Sequence, residues 1–294
     1  MKLATFISHG IQYVGALTDA GLVPFHHAHG QDVGALLHRG LGAGDLGALV
    51  VDGLPAVSAD SVRYLPPVVN PPKIVCIGLN YADHTKESPY EQPDYPTIFP
   101  RYPTSLTAHG EAIVRPLCSD SLDFEGELAV VLASGGRHIP KDQALRHVFG
   151  YSLFNDGSVR EYQFKSPQWT VGKNFDKTGA FGPYVVTADE LPPGARGLRL
   201  ETRFNGELVQ SADTSDMLFD VATLISVVSE AITLQAGDVI VAGTPSGIGW
   251  ARTPKLLMRD GDVCEVRIER IGTLSNRIVD ESRAATAPTT RQAA

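Results

Sequence analysis

Glu125 and Glu127 stand one residue apart in Leu122-Asp-Phe-Glu-Gly-Glu-Leu-Ala-Val-Val-Leu132, and the apolar run after them reads as a buried strand. On a strand, residues i and i+2 point to one face, so two carboxylates lie side by side at the mouth of an apolar segment. Such a pair repels itself unless positive charge sits between its members. A divalent cation is the economical solution, because hard oxygen ligands suit Mg²⁺, Mn²⁺ or Ca²⁺. Asp123 is a further acid in the same register. The plainer alternative is a solvated row of charges, and acids elsewhere in the chain bear on the choice. Asp156, in Phe154-Asn-Asp-Gly-Ser158, follows an expected strand Gly150-Tyr-Ser-Leu-Phe154 and places another carboxylate at a strand end beside a glycine. Alternatively it is a turn former. Three carboxylates leave about half of an octahedral Mg²⁺ shell for water or substrate.

Three more segments carry chemistry. His84 and Glu87, in Asn80-Tyr-Ala-Asp-His-Thr-Lys-Glu87, are three residues apart and share a face within one helical turn. A carboxylate that holds one imidazole nitrogen leaves the other free as a base, although a surface His/Glu pair is the commoner use of this spacing. Lys173, in Val171-Gly-Lys-Asn-Phe-Asp-Lys-Thr-Gly179, closely follows Gln168-Trp169. Beside a metal such a lysine pairs with a substrate carboxylate or stabilises an enolate; away from one it is solvated surface. Val241-Ala-Gly-Thr-Pro-Ser-Gly-Ile-Gly249 is a glycine-rich loop after an apolar strand, offering backbone N–H groups and the Thr244 hydroxyl to an anion. It lacks the Gly-Lys-Ser/Thr of a P-loop, and its spacing does not fit a dinucleotide fingerprint.

These segments need a scaffold. Lys2–Ile7 and Tyr13–Leu17 read as paired strands, and Asp32–Arg39 as a helix. Leu65-Pro-Pro-Val-Val-Asn-Pro-Pro72 is too proline-rich for a helix or central strand and reads as a linker. It divides a small N-terminal α/β domain, 1–67, from a larger domain, 68–281. Further strands are expected at 73–78, 127–132, 184–187, 198–204, 238–242 and 263–269. Helices are expected at Asp142–His147 and Asp220–Leu234, the latter capped by Asp220. The tail, 282–294, is apolar-poor and reads as disordered.

Composition narrows the function classes. Hydrophobic content of 43% and charged content of 20% over 294 residues are those of a globular protein. The 29 glycines and 20 prolines favour turns and short strands over a helical bundle. The net charge of −8 argues against a nucleic-acid partner. No apolar run is long enough for a membrane helix, and the N-terminus does not read as a signal peptide. Cys76 and Cys264 lie in apolar runs and Cys118 stands apart, which points to free thiols in a reducing, cytoplasmic compartment rather than disulfides or zinc.

Together and in order, five motifs resemble the fumarylacetoacetate hydrolase superfamily: Gly78-Leu-Asn-Tyr-Ala-Asp-His-Thr-Lys-Glu87, Asp123-Phe-Glu-Gly-Glu-Leu128, Asn155-Asp-Gly-Ser-Val-Arg-Glu-Tyr-Gln163, Gln168-Trp-Thr-Val-Gly-Lys-Asn-Phe-Asp176 and Gly243-Thr-Pro-Ser-Gly-Ile-Gly249. The likeness spans about 68–280. It implies an α+β, β-rich fold with a mixed β-roll catalytic domain, usually homodimeric, and Mg²⁺ or Mn²⁺ in the active site. By the motif match Glu125, Glu127 and Asp156 would ligate the metal, His84 and Glu87 would activate water on a lid, and Lys173 would sit beside the metal-bound oxo acid. Arg160 and Gln163 would meet the substrate or support the metal waters, and Thr244 would hold its carboxylate. Many relatives carry lysine where this chain has Arg101; Arg101 and the adjacent Tyr102 are expected to contact substrate.

A 2-oxo acid can chelate one cation through its carboxylate and keto oxygens, so electrons released at the next carbon collect as an enolate. With the His84–Glu87 pair taking a proton from water, the expected reaction is hydrolysis of a 2,4-dioxo acid (an acylpyruvate such as fumarylpyruvate) to pyruvate and a carboxylic acid, in the breakdown of aromatic or related compounds. The same enolate serves oxaloacetate decarboxylation, tautomerisation or isomerisation of a 5-carboxymethyl-2-hydroxymuconate-type acid, and dehydration of a 2-keto-3-deoxy acid. A binding module that has lost its chemistry is disfavoured, since every motif position is filled.

Overall fold

The computed structural model describes residues 1–26, 28, 31–88 and 91–284. Among these residues its centre is a mixed sheet of 11 strands. The main path runs Gly21–Pro24, Ile11–Thr18, Lys2–Ser8, Gly179–Thr187, Val148–Asp156, Gly126–Leu132, Val239–Val241, Ile74–Gly78 and Thr97–Arg101. A second sheet of five strands packs beside it, in the order Glu207–Asp213, Arg199–Phe204, Val263–Ile268, Gly272–Asp280, Ile113–Arg115. The fold is α+β and strand-rich, as the motifs imply.

The Gly126–Leu132 strand shows why the sheet sits where it does. All seven of its residues are buried. Leu128, Val130 and Leu132 enter one apolar cluster, while Ala129 and Val131 enter the other. Both faces are therefore covered, and the period-two alternation of side chains feeds two cores from one segment. Its neighbour Val148–Asp156 is likewise buried throughout. Because these two strands run antiparallel, with Gly126 opposite Asn155, the start of one and the end of the other meet. That pairing brings Glu125 and Glu127 to Asp156.

The N-terminal strands join the same sheet: Lys2 and Leu3 pair with Val186 and Val185. Leu3, Phe25 and Leu37 share an apolar cluster with Ile74, Val131 and Phe181. The helix Val33–His38 is capped by Asp32, whose carboxylate accepts from Ala35 N–H at 2.7 Å. Leu46–Val51 forms a further short helix. The helix Val221–Ala231 starts at its Asp220 cap and buries Val221, Leu224, Ile225 and Val228, an i, i+3, i+4, i+7 stripe. Residues 141–147 form one turn of α-helix and one of 3-10 helix rather than a single helix. The expected tail falls mostly outside the described residues; Glu281–Ala284 is a helical turn. No helix among the described residues is long and apolar enough to cross a membrane.

Candidate active site

Three carboxylates meet at the junction of the two central strands. Oxygens of Glu125, Glu127 and Asp156 lie within 4.8 Å of one another, and all three residues are buried. The backbone fixes their approach: Asp156 N–H donates to Glu125 O at 2.8 Å, and Glu125 N–H donates to the Asn155 side chain at 3.0 Å. Cations are interleaved. Lys173 Nζ donates to Glu125 Oε2 and to Asp156 Oδ2, each at 2.7 Å. Arg160 reaches Glu125 Oε1 at 2.6 Å and Asp123 Oδ2 at 2.8 Å. Arg101 pairs with the remaining oxygen of Asp156.

The charges do not balance. Among the described residues, three arginine or lysine side chains, Arg101, Arg160 and Lys173, make ion pairs with Asp123, Glu125 and Asp156, leaving four acids to three such cations. Glu127 is the odd acid, with a Gly243 N–H at 2.5 Å but no cation in contact. Burial, then the Asp156 and Glu125 carboxylates, drive its carboxyl well above the ordinary range. Burial acts on Glu125 too, but Arg160 and Lys173 outweigh it and hold that carboxyl at about 2. A set of hard oxygen donors short of positive charge fits a divalent cation. Each carboxylate oxygen has two lone pairs, so the lysine contacts leave acceptor capacity for one.

Glu125 and Glu127 form the floor of a narrow cleft, with Asp156 buried just behind them. His84, Glu87, Glu125, Glu127, Arg160, Gln163, Lys173 and Thr244 all line it, so most of the residues singled out in the sequence converge there. His84 and Glu87 lie on a six-residue helix, Ala82–Glu87. His84 Nδ1 is 2.9 Å from Glu87 Oε1, which directs the other ring nitrogen away from the pair. Glu87 is anchored in turn by Gly247 N–H at 2.9 Å.

Three expectations change. Arg101 does not face the cleft: it is 2% exposed and spends its donors on Asp156, Ser105, Gly157 O and Thr178. Phe99 and Arg101 are the inward residues of the edge strand Thr97–Arg101, so the guanidinium meets the far side of Asp156. Tyr102 is 51% exposed and stands in a shallow outer groove beside Val171 and Phe175. The glycine loop does bind anions, but they are the protein's own: Glu127 at Gly243, Glu87 at Gly247 and Ile248, Asp123 at Gly249 and Trp250. The Thr244 hydroxyl already donates to Gly126 O at 3.0 Å.

Asp123 therefore ties Arg160 to the loop rather than facing the cleft, a role its register alone did not reveal. The apolar walls were also missed: Leu79, Phe99, Phe164, Trp169, Ile248 and Trp250. Gly78 carries a signal for one of them, since a Cβ there would lie 2.3 Å from the Trp169 ring. Lys173 Nζ sits 4.9 Å from the centre of the Phe99 ring, so the ammonium is held between an aromatic face and two carboxylates.

A buried acid triad, a lysine and a His–Glu pair thus stand together around one cleft, and matches to known proteins place this arrangement in a family. Residues 73–279 match the family described as Fumarylacetoacetate (FAA) hydrolase C-terminal, and the chain belongs to that family. It is 42% identical over 225 residues to oxaloacetate tautomerase YisK of Bacillus subtilis, covering 75% of this chain and 74% of that one. A fumarylacetoacetate hydrolase from Exiguobacterium antarcticum superposes with a TM-score of 0.85 at 35% identity, covering 96% of this chain and all of the other (100%). Maleylpyruvate hydrolase from Sphingobium sp. SYK-6, solved with manganese(II) and pyruvate, superposes with a TM-score of 0.79 at 25% identity, covering 95% and 99%.

Proposed function

We propose that this protein is a Mg²⁺- or Mn²⁺-dependent enzyme that interconverts the enol and keto forms of a short 2-oxo dicarboxylic acid, with oxaloacetate as the substrate to test first. The observation that carries this reading is the cluster of Glu125, Glu127 and Asp156 at the floor of a cleft that Lys173 and His84 also line. The 42% identity to an oxaloacetate tautomerase supports the choice of substrate over the acylpyruvate expected from the motifs. Oxaloacetate stood among the sequence-level alternatives as a decarboxylation substrate; tautomerisation was weighed there only for a hydroxymuconate-type acid.

Glu125, Glu127 and Asp156 would hold the cation. When bound, the cation supplies Lewis-acid polarisation of the substrate's carboxylate and keto oxygens. Lys173 adds fixed positive charge where negative charge grows on the keto oxygen. His84, its Nδ1 held by Glu87, uses its other nitrogen to take a proton from carbon 3 of the keto form and hand it to the enolate oxygen; in the reverse direction it takes the enol O–H proton and returns it to carbon 3. Phe164, Trp169 and Trp250 give the cleft apolar walls, which lower the polarity around the charges inside it. The reading carries with it a homodimer, for which Ile98, Tyr102 and Ile232 offer exposed apolar surface along the edge strand.

Hydrolysis of a 2,4-dioxo acid is the second reading, favoured by the same His84–Glu87 pair acting on water and by the likeness to a maleylpyruvate hydrolase. Pyruvate release from acetylpyruvate, fumarylpyruvate and oxaloacetate, each with Mn²⁺ and with EDTA, separates the two. Metal-dependent pyruvate from a 2,4-dioxo acid, lost in His84→Ala, would establish hydrolysis instead. Enol–keto turnover of oxaloacetate without pyruvate release is the outcome expected.

A further inference from the structure

Gln210 belongs to none of the motifs. It lies on Glu207–Asp213, the outermost strand of the five-stranded sheet, yet is only 2% exposed. Its amide reaches out of its own sheet into the floor of the cleft. Oε1 accepts from Gly126 N–H at 3.0 Å, while Nε2 donates to Thr244 Oγ1 and to Pro245 O, each at 2.9 Å. Thr244 completes the circuit by donating to Gly126 O. Both polar groups of Gly126, the residue between Glu125 and Glu127, are thus tied to one amide–hydroxyl bracket. Thr202, the register partner of Gln210 on the adjacent strand, closes the remaining space: a Cβ on Gly126 would lie 2.1 Å from its hydroxyl.

This bracket answers a specific problem. Two carboxylates at i and i+2 repel each other, and a glycine between them is the most pliable hinge available. Something must hold that hinge for the glutamates to converge on one point. We propose that Gln210 is a positioning residue that fixes the Glu125-Gly126-Glu127 segment against the 243–249 loop and so sets the spacing at which the acids take a divalent cation. The inference rests on the reading of Glu125, Glu127 and Asp156 as that cation site. It differs from a purely structural role, in which Gln210 would stabilise the junction of the two sheets with no bearing on the cation.

The test is the Mn²⁺ dissociation constant of the full chain by titration calorimetry, below the melting range of every variant. Gln210→Met keeps length and volume but removes all three bonds. Leu200→Ala, on the neighbouring strand, opens a cavity at a residue that is 0% exposed and whose side chain can make none of the bracket's hydrogen bonds, so it controls for lost stability. Gln210→Met is expected to weaken Mn²⁺ binding about 10- to 100-fold, the range for residues that orient metal ligands, while Leu200→Ala lowers the melting temperature and leaves binding unchanged. Thr244→Val, which removes only the hydroxyl from the bracket, is expected to weaken binding less and serves if Gln210→Met does not fold. Unchanged Mn²⁺ affinity in folded Gln210→Met, or in Thr244→Val where the former is unfolded, overturns the inference alone. A wild-type protein that binds no Mn²⁺ overturns the cation site and the inference together.

Discussion

The floor and the lip of the cleft are built on different principles. At the floor, Glu125, Glu127 and Asp156 come from adjacent strands in the middle of an 11-stranded sheet, and three buried cations are wedged among them. At the lip, His84 and Glu87 ride a single short helix, and Glu87 (side chain 21% exposed) is held by His84 and by backbone N–H groups of the glycine loop. In the floor, Glu125 and Asp156 are each held by backbone, cation and neighbouring strand, and Glu127 by the Gly243 N–H and the strand pairing. The lip rests on a few contacts made by one short helix. On the proposed reading, this division would separate a charge-stabilising floor from a proton-moving lip.

The largest effect should come from the floor's hidden side. Arg101→Met leaves one oxygen of a fully buried Asp156 without its cation, and removal of one partner from a buried ion pair costs about 3–5 kcal/mol. Urea denaturation should show that loss even though Arg101 lines no part of the cleft; a midpoint equal to wild type would mean that the pair is dispensable. Next comes Glu127→Gln, which removes the unpaired acid at constant shape. Turnover should fall at least about a hundredfold. The stabilisation by Mn²⁺, about 2.7 kcal/mol at a hundred times the dissociation constant, should disappear. Persistence of that gain would break the claim that the floor is the cation site.

At the lip, Gly247→Ala should separate the two regions. Gly247 has φ +101, and a Cβ there would lie 2.2 Å from Val209 O, so the loop must shift. Strain at such a position costs on the order of 1–3 kcal/mol. The kcat should fall by more than the calorimetric Mn²⁺ affinity, because the strain falls at the Glu87 anchor; equal losses in both would erase the distinction. The smallest effect lies far from either region. Asp220→Ala removes the cap of the Val221–Ala231 helix and should cost about 1 kcal/mol without changing turnover. Partial burial raises the Asp220 carboxyl, but hydrogen bonds from Thr223 outweigh it and hold its pKa below the ordinary value. The cap's contribution is therefore present above the ordinary carboxylate range and lost as pH falls through the lowered pKa, so the variant and wild type should converge in stability only in strong acid.

The sequence showed the functional acids better than it showed what holds them. Glu125 and Glu127 were legible because strand periodicity alone puts them on one face, and His84 and Glu87 because a helical turn does the same. Arg101 was legible as a charge but not as a direction: Pro100 and Pro103 obscured the strand Thr97–Arg101, whose alternation turns Phe99 and Arg101 inward. The glycine loop was recognisable as an anion cradle, yet only the fold shows that its anions are Glu87, Asp123 and Glu127. Gln210 was invisible because its bonds to Gly126 span 84 residues and two sheets, and no local pattern encodes such a pairing.

The most direct test follows the enol–keto interconversion of oxaloacetate by its ultraviolet absorbance, with Mn²⁺, with EDTA and with Glu127→Gln in place of wild type. Rapid interconversion by the Mn²⁺-loaded wild type, lost with EDTA and in the variant and unaccompanied by pyruvate, is the predicted result. Interconversion no faster than without protein, or equally fast in EDTA, would contradict it.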